Sequence, residues 1–339
     1  MKTGKLPENI YKRSVLKELR YKRKEIISGA GIGNDCAILS SGMEDYFASG
    51  MVFVTEKPDK IGMLAVHKAV NRVAASGAGP VAVTGMLLLA EGTSEEELKR
   101  IVRQIEKTCE EIGIQAAGIE VSALPETMIS NSAYCMLTMT GIGTIKGRRC
   151  QVEQRGNGGF AKPKQDVVLT KWVGLEGTYL IAGKREKELR KRFSAEYIEE
   201  AKGFDRYLSI LPEAATAMES NVGAMHNVSE GGIFGALWEM AERSGVGLEI
   251  ELKKIPIRQE TVEICNYFDI NPYALLSSGC LLMTADNGYD LAESLHKNGI
   301  GAEVIGRTTD SHDRLIINEE EKRFLTPAQP DEIYKLTGR

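Results

Sequence analysis

The residues best suited to chemistry are acidic side chains next to glycine-rich turns. Gly31-Ile32-Gly33-Asn34-Asp35 leads into apolar Ala37, Ile38 and Leu39. Thr55-Glu56 closes a β-type run that begins at Val52, and Gly118-Ile119-Glu120 lies near the end of another. His226-Asn227-Val228-Ser229-Glu230-Gly231-Gly232 stands where an apolar helical stretch begins. Carboxylates at strand ends can hold Mg²⁺, and the N–H groups of glycine-rich turns and helix starts cradle phosphates. Binding a nucleotide with its metal requires little more. Each motif also has a plainer reading. An Asp after Gly-x-Gly serves as a turn residue, and Ser229 or Glu230 ahead of a helix serves as its N-cap.

The familiar nucleotide and nucleophile signatures are missing. No G-x-x-x-x-G-K-[ST] occurs; the stretch Gly177 to Lys184 has the wrong spacing and continues with Arg185. Gly29-Ala-Gly31-Ile-Gly33 is not G-x-G-x-x-G and follows no strong strand. Neither a G-x-S-x-G elbow nor a kinase-type H-R-D set is present. Cys36 adjoins Asp35, a position where a small apolar thiol is the simpler reading than a nucleophile.

Strands and helices must position these residues, and both kinds are legible in each half of the chain. Val52–Thr55, Val81–Leu89, Ile114–Val121 and Ala133–Gly141 read as strands in the first half. Ile61–Ser76 carries Leu64, Ala65, Ala69, Val70 and Val73 at helical spacing, with Gly77 as its stop. Ser94-Glu95-Glu96-Glu97 is a capping box for a helix that buries Leu98, Ile101, Val102, Ile105, Cys109 and Ile112 and ends at Gly113. The second half reads as strands at Val167–Thr170, Gly247–Leu252, Cys280–Thr284, Ala302–Gly306 and Arg314–Ile317. Helices are expected at Phe204–Ala217, with an interruption at Pro212, and at Gly231–Ser244, Arg258–Phe268 and Leu291–Lys297. The linker candidate is Gly156–Asp166, rich in Gly, Pro and Lys. The pattern predicts an α/β (α+β) protein of two domains, 1–155 and 156–339.

Composition narrows the function. Of 339 residues, 42% are hydrophobic and 27% charged, and 43 Lys+Arg against 47 Asp+Glu leave a net charge of −4. A globally basic nucleic-acid binder is thereby excluded. The local exception is an N-terminal arm with seven Lys or Arg between Lys12 and Lys24. Only Tyr11 and Tyr21 interleave it, so it reads first as a solvated helix face and second as a phosphate- or partner-contacting arm. The 35 Gly imply many tight turns and close backbone approaches. No apolar run is long enough for a membrane span, no signal-peptide core is visible, and six scattered Cys form no C-x-x-C pair. A cytoplasmic protein with reduced thiols is expected.

The order of the motifs resembles the aminoimidazole-ribonucleotide synthetase superfamily of ATP-using enzymes. That group includes selenophosphate synthetase, thiamine-monophosphate kinase and the hydrogenase expression/formation (maturation) dehydratase. The resemblance runs from Gly4 to about Ile317. It rests on Gly31–Ala37, Thr55-Glu56, Asn71-Arg72 through Gly77-Ala-Gly-Pro80, Ala116-Ala-Gly-Ile-Glu120 and His226–Gly232. Lys171-Trp172-Val173-Gly174-Leu-Glu-Gly177-Thr and Ser277-Ser278-Gly279 look most like the hydrogenase-maturation branch. The resemblance implies two α/β domains, with the N-terminal one dimerising through a shared β-barrel, and ATP-Mg²⁺ bound between the domains. It implies Asp35, Glu56 and Glu120 as metal ligands, with Glu56 in place of an Asp. Gly31, Gly33, Asn71, Glu120, His226, Asn227, Gly231 and Gly232 are implied to bind the nucleotide. A small-molecule substrate is implied, with phosphoryl transfer to an oxygen nucleophile.

Two positions depart from the family. Arg72 stands where the pattern has Asp, a change of two charge units, and Asn227 stands where it has Asp. Arg72 removes a metal ligand and brings a cation that can pair with Asp35 or Glu56 or clamp a phosphate. The chain also lacks the terminal Cys of the maturation enzyme and ends Leu336-Thr-Gly-Arg339. Two readings follow: an ATP-Mg²⁺-dependent enzyme in which Asp35, Glu56 and Arg72 act on the transferred group, or a catalytically impaired nucleotide- or partner-binding homolog.

Overall fold

A computed structural model describes residues 3–42, 45–57, 59–125, 135–145, 159–220, 222–327 and 329–336. Cys150, positions 133–134 of the expected strand and positions 156–158 of the expected linker lie outside the described residues. By its contacts the chain forms two units: 24–29 with 35–156, and 1–23 and 30–34 with 157–339. The basic arm therefore groups with the second half of the chain, not with the first half in which it was expected.

The first unit carries a six-stranded sheet in the order β1-β2-β3-β6-β4-β5. The strands are β1 (Ile26–Ser28), β2 (Ala37–Ser40), β3 (Tyr46–Glu56), β4 (Gly79–Ala90), β5 (Gln115–Leu124) and β6 (Cys135–Ile145). All pairings are antiparallel except β4 with β5. Two helices, α1 (Ile61–Ala75) and α2 (Glu95–Ile112), bury Leu64, Val73, Ile101, Ile105 and Cys109 of the expected stripes, whereas Val102 is 38% exposed. α1 lies so close to β6 that a Cβ on Gly141 would come 2.7 Å from the Ala69 carbonyl oxygen. Only glycine permits that approach. The capping box at Ser94 and Glu97 forms as expected, and Gly113 closes α2 in the left-handed conformation.

β3 alternates strictly: Tyr46, Ala48 and Val54 point inward while Phe47, Met51 and Phe53 point out. On the outward side Met51 is 68% and Phe53 58% exposed, and Val81 (51%) and Met86 (44%) are exposed as well. Within one chain the sheet is open, with β1 and β5 at its edges.

The second unit is built on a seven-stranded sheet in the order β13-β12-β9-β11-β7-β10-β8. These are β7 (Asp166–Thr170), β8 (Val222–Asn227), β9 (Gly247–Glu251), β10 (Leu281–Ala285), β11 (Ala302–Thr309), β12 (Arg314–Asn318) and β13 (Glu321–Phe324). Its central strands are apolar on both faces; β10 is buried at all five residues, as expected of a strand covered on both sides. The helices are α3 (Leu175–Lys184), α4 (Ala195–Lys202), α5 (Leu211–Glu219), α6 (Gly232–Ser244), α7 (Gln259–Phe268) and α8 (Gly288–Lys297). Phe204–Ala217 is interrupted, as a 3-10 turn at Gly203–Tyr207 followed by α5, and Pro212 sits in the first turn of α5. Proline has no N–H to donate and fits a helix start, not its middle. The expected linker is not free. Ala161 is buried, and its N–H donates to Ser244 Oγ at 3.0 Å.

Candidate functional site

In the first unit the expected acids are held apart by strand register. Ala37 pairs with Ser49, which places Asp35, just ahead of β2, level with Met51. Glu56 lies five residues farther along β3, about 17 Å away at ~3.3 Å per residue. Glu120 pairs with Met86, Met86 with Thr138 and Thr138 with Phe53. It is thus three strand spacings, about 14 Å, to one side of β3. Asp35 and Glu56 are buried, at 3% and 4% exposure, whereas Glu120 is exposed. Strand register thus holds the three carboxylates apart within a single chain. Among the described residues no three His, Cys, Asp or Glu side chains group closely enough to hold a metal ion.

Arg72 does come to Asp35. Its Nε donates to the Asp35 backbone carbonyl at 2.6 Å. Beside it Asn71 is fully buried, and Gly50 leaves space where a Cβ would press on Cys36 Sγ and Arg72 Cβ. Burial, reinforced by the Asp35 charge and opposed by Arg72, pushes the Cys36 thiol up to about 12. Cys36 is therefore a neutral thiol near pH 7, in keeping with the plain apolar reading.

In the second unit the glycine-rich motif is compact. β8 ends in His226 and Asn227, each 4% exposed. The chain turns through Glu230 and enters α6 through Gly231 and Gly232, at φ +86° and +62°. A Cβ on Gly232 would lie 2.5 Å from the Tyr273 carbonyl oxygen, so the position excludes side chains by strain and by contact. Gly33 lies against the same helix, where a Cβ would meet the Glu239 carbonyl oxygen at 2.6 Å. Gly31 accepts at its carbonyl from the Asn34 N–H.

Other parts of the chain engage the polar groups of this corner. The Gly231 N–H donates to Asp331 Oδ2 at 2.7 Å, and Asp331 Oδ1 accepts from the Ile333 N–H at 2.9 Å. Burial pushes the Asp331 carboxyl up to about 7 against these backbone donors, and the Glu230 charge adds to the rise. Glu230 Oε1 accepts from the Lys5 N–H at 2.8 Å. His226 Nε2 is 3.2 Å from Glu239 Oε2, and the other oxygen of Glu239 pairs with the Lys5 ammonium. Burial alone would raise the Glu239 carboxyl; Lys5 and His226 outweigh it and hold it down at about 2.

A second polar cluster joins the two segments that resemble the hydrogenase-maturation branch. Lys171, at φ +51°, donates to the carbonyls of Tyr207 (2.9 Å) and Ser209 (2.6 Å) and pairs with Glu213 Oε1 (2.6 Å). Ser277 Oγ accepts from the Gly174 N–H at 2.7 Å and donates to the Leu275 carbonyl. Glu213 Oε2 and Ser278 Oγ are buried without a partner. A separate cavity of about 500 Å³, lined by Asp166, Glu249, Lys254, Tyr289 and Arg307, contains none of the expected residues.

The sequence did not mark Lys5, Lys171, Glu213, Glu239 or Asp331 as site residues. For Glu239 a signal existed: it is a lone acid in the apolar run GIFGALWEMA, two turns below Gly232 and hence on its face. The others act through partners distant in sequence.

The N-terminal-domain model of the AIR synthase related proteins matches residues 33–145, and the C-terminal-domain model matches 164–318. A protein of Methanocaldococcus jannaschii assigned to hydrogenase expression/formation is 28% identical, over 93% of this chain and 91% of its own. The carbamoyl dehydratase HypE of Rhodobacter capsulatus is 27% identical over 74% of this chain and 71% of its own. Among solved structures, the hydrogenase maturation protein HypE in complex with ATP superposes with a TM-score of 0.69. It is 18% identical and covers 96% of this chain and 95% of that one. An AaThiL complexed with AMPPCP and TMP gives 0.67 at 18% identity, covering 88% and 92%. At these identities the structural likenesses establish the fold.

Proposed function

The chain belongs to the AIR synthase related family, and we propose that it is an ATP-dependent enzyme that transfers a phosphoryl group to an oxygen of a small-molecule substrate. The observation that carries this reading is the family match over both units, with relatives that include a dehydratase and solved structures that include HypE with ATP. The start of α6 suits phosphate, since Gly231 and Gly232 bring backbone N–H groups to a helix N-terminus. We assign Gly31, Gly33, Asn71, Glu120, His226, Asn227, Gly231 and Gly232 to nucleotide binding. Arg72 is assigned to clamp a phosphate, a role its planar guanidinium fits.

Asp35, Glu56 and Glu120 have the hard oxygen ligands that Mg²⁺ takes, but the register separates them within one chain. A metal held by more than one of them draws its remaining ligands from phosphate or from a second copy. That copy is the expected partner. The exposed row of Met51, Phe53, Val81 and Met86 supports a homodimer joined through this face of the open sheet, the arrangement in which two sheets complete a barrel. The buried thiols of Cys36, Cys109, Cys135, Cys265 and Cys280 support a cytoplasmic setting. Among the described residues no helix is long and apolar enough to cross a membrane.

The second reading, a nucleotide- or partner-binding homolog that no longer turns over, is favoured by one observation. Arg72 brings its positive charge to the Asp35 backbone, where a metal ion was expected. Titration calorimetry with ATP, with and without Mg²⁺, tests the first reading: heat of binding supports it, and no heat at millimolar ATP sinks it.

A further inference from the structure

His226 closes β8 at 4% exposure, and its Nε2 faces Glu239 of α6 at 3.2 Å. Among the described residues Glu239 has one other cationic partner, the ammonium of Lys5. The same residue donates its backbone N–H to Glu230. One residue of the N-terminal arm thus touches both carboxylates around the glycine-rich turn. The arm is anchored independently of Lys5. Trp238 Nε1 donates to Glu8 Oε2 at 2.7 Å, and Lys12 pairs with Glu8 (2.5 Å) and Glu242 (2.6 Å). Arg314 binds Glu242 at 2.7 Å and lies 3.9 Å over the Trp238 ring.

We propose that Lys5 is a positioning residue for His226. Its ammonium satisfies Glu239, so that docking of residues 3–12 lowers the proton affinity of the imidazole, and withdrawal of Lys5 raises it. The physical reason is that a buried carboxylate requires a nearby cation. With Lys5 in place the requirement is met, and a second cation on His226 would be repelled by the first. Without Lys5, the cation facing Glu239 is His226, and its imidazolium form is favoured more strongly. Of the groups that hold Glu239 ionised against its burial, the Lys5 charge comes first, ahead of His226. The charged groups facing the pair are Glu230 from the turn, Lys5 from the arm and, farther along α6, Glu242 with Lys12 and Arg314. By linkage, protonating His226 loosens the arm as much as docking the arm deprotonates His226.

The significance of this for nucleotide binding rests on the function proposed above; the proton affinity of His226 does not. The test is an NMR titration of the four histidines in the full-length chain, as wild type, Lys5→Met and Lys5→Arg. Lys5→Met should raise the proton affinity of His226 by about tenfold or more, one pH unit on its midpoint. Lys5→Arg should restore the wild-type midpoint, which a merely structural contact would not require. An unchanged midpoint in Lys5→Met overturns the proposal. Should that variant misfold, Glu8→Gln provides the reading: it loosens the arm without touching Lys5 and must shift His226 upward, in the same direction by less. No shift there overturns it equally. Calorimetry with ATP on the same samples separates the two claims, because absent nucleotide binding would leave the histidine titration intact.

Discussion

The acids of the first unit and the glycine-rich motif of the second satisfy their polar groups in opposite ways. Asp35, Glu56 and Glu120 are spread over the sheet by register, and the outward face of β3 and its neighbours is apolar and bare. Around His226–Gly232 the polar groups of the corner are engaged by the chain itself, through Lys5, Glu239 and Asp331. One region leaves an apolar face exposed, whereas the other is closed by Lys5 and Asp331, residues far apart in the sequence. Similar motif strength in the sequence therefore conceals different states of completion.

The comparison breaks most decisively at the bare face. Met51→Asp with Phe53→Asp places two charges where an apolar partner surface is expected, at several kcal/mol against association. Sedimentation should show wild-type dimer and variant monomer; a monomeric wild type at micromolar concentration removes the partner from the comparison. Next in size is Gly232→Ala, which adds a Cβ at positive φ against the Tyr273 carbonyl. It should cost about 3 kcal/mol, whereas Gly118→Ala on β5, with open space around it, should stay within about 0.5 kcal/mol. Equal losses in thermal melts would mean that the motif is no tighter than the sheet edge.

A smaller effect comes from Asp331. Its carboxyl is raised to about 7 in the fold from an ordinary 3.8, so the folded state holds the proton over that window and the unfolded chain does not. Stability should fall by up to about 1.4 kcal/mol per pH unit as pH rises through the window and level off above it. Asp331→Asn carries no such proton and should show no such slope; parallel denaturation curves at pH 5, 6 and 7 would remove Asp331 from the closed corner. The smallest expected effect is that of Arg72→Asp. If Arg72 displaces a metal, the change should strengthen Mg²⁺-dependent ATP binding by about tenfold, worth ~1.4 kcal/mol. If it instead abolishes an existing activity, Arg72 is a phosphate clamp.

Much of the fold was legible because its signals are local. The Ser94–Glu97 box, the Gly113 stop and the apolar stripe of α2 all lie within one helix. β8 was missed because Val-Gly-Ala-Met-His-Asn lacks a β-branched or aromatic run and owes its form to pairing with β10. α3 was missed for a similar reason: Gly177 and Gly183 weaken its propensity, and burial supplies the rest. β3 begins six residues before its readable part because Tyr46 to Met51 is specified by register with β2 and β6. The candidate site was legible where glycine is sterically required, at Gly33 and Gly232. It was illegible where a charge is satisfied across the chain, as at Lys5 with Glu239 or Gly231 with Asp331, because no periodicity spans 100 or more residues.

Lys171 has a consequence for how this sequence can change. Its backbone sits at a positive φ that glycine would adopt without strain, yet its ammonium is the cation bound to buried Glu213 and to two carbonyls. Substituting Gly relaxes the backbone and strands the carboxylate; substituting Glu213 first strands the ammonium. Each single step strands a buried charge, whereas the double replacement strands none. Position 171 should therefore behave as a ratchet, with its identity locked to position 213 in any lineage that has acquired both.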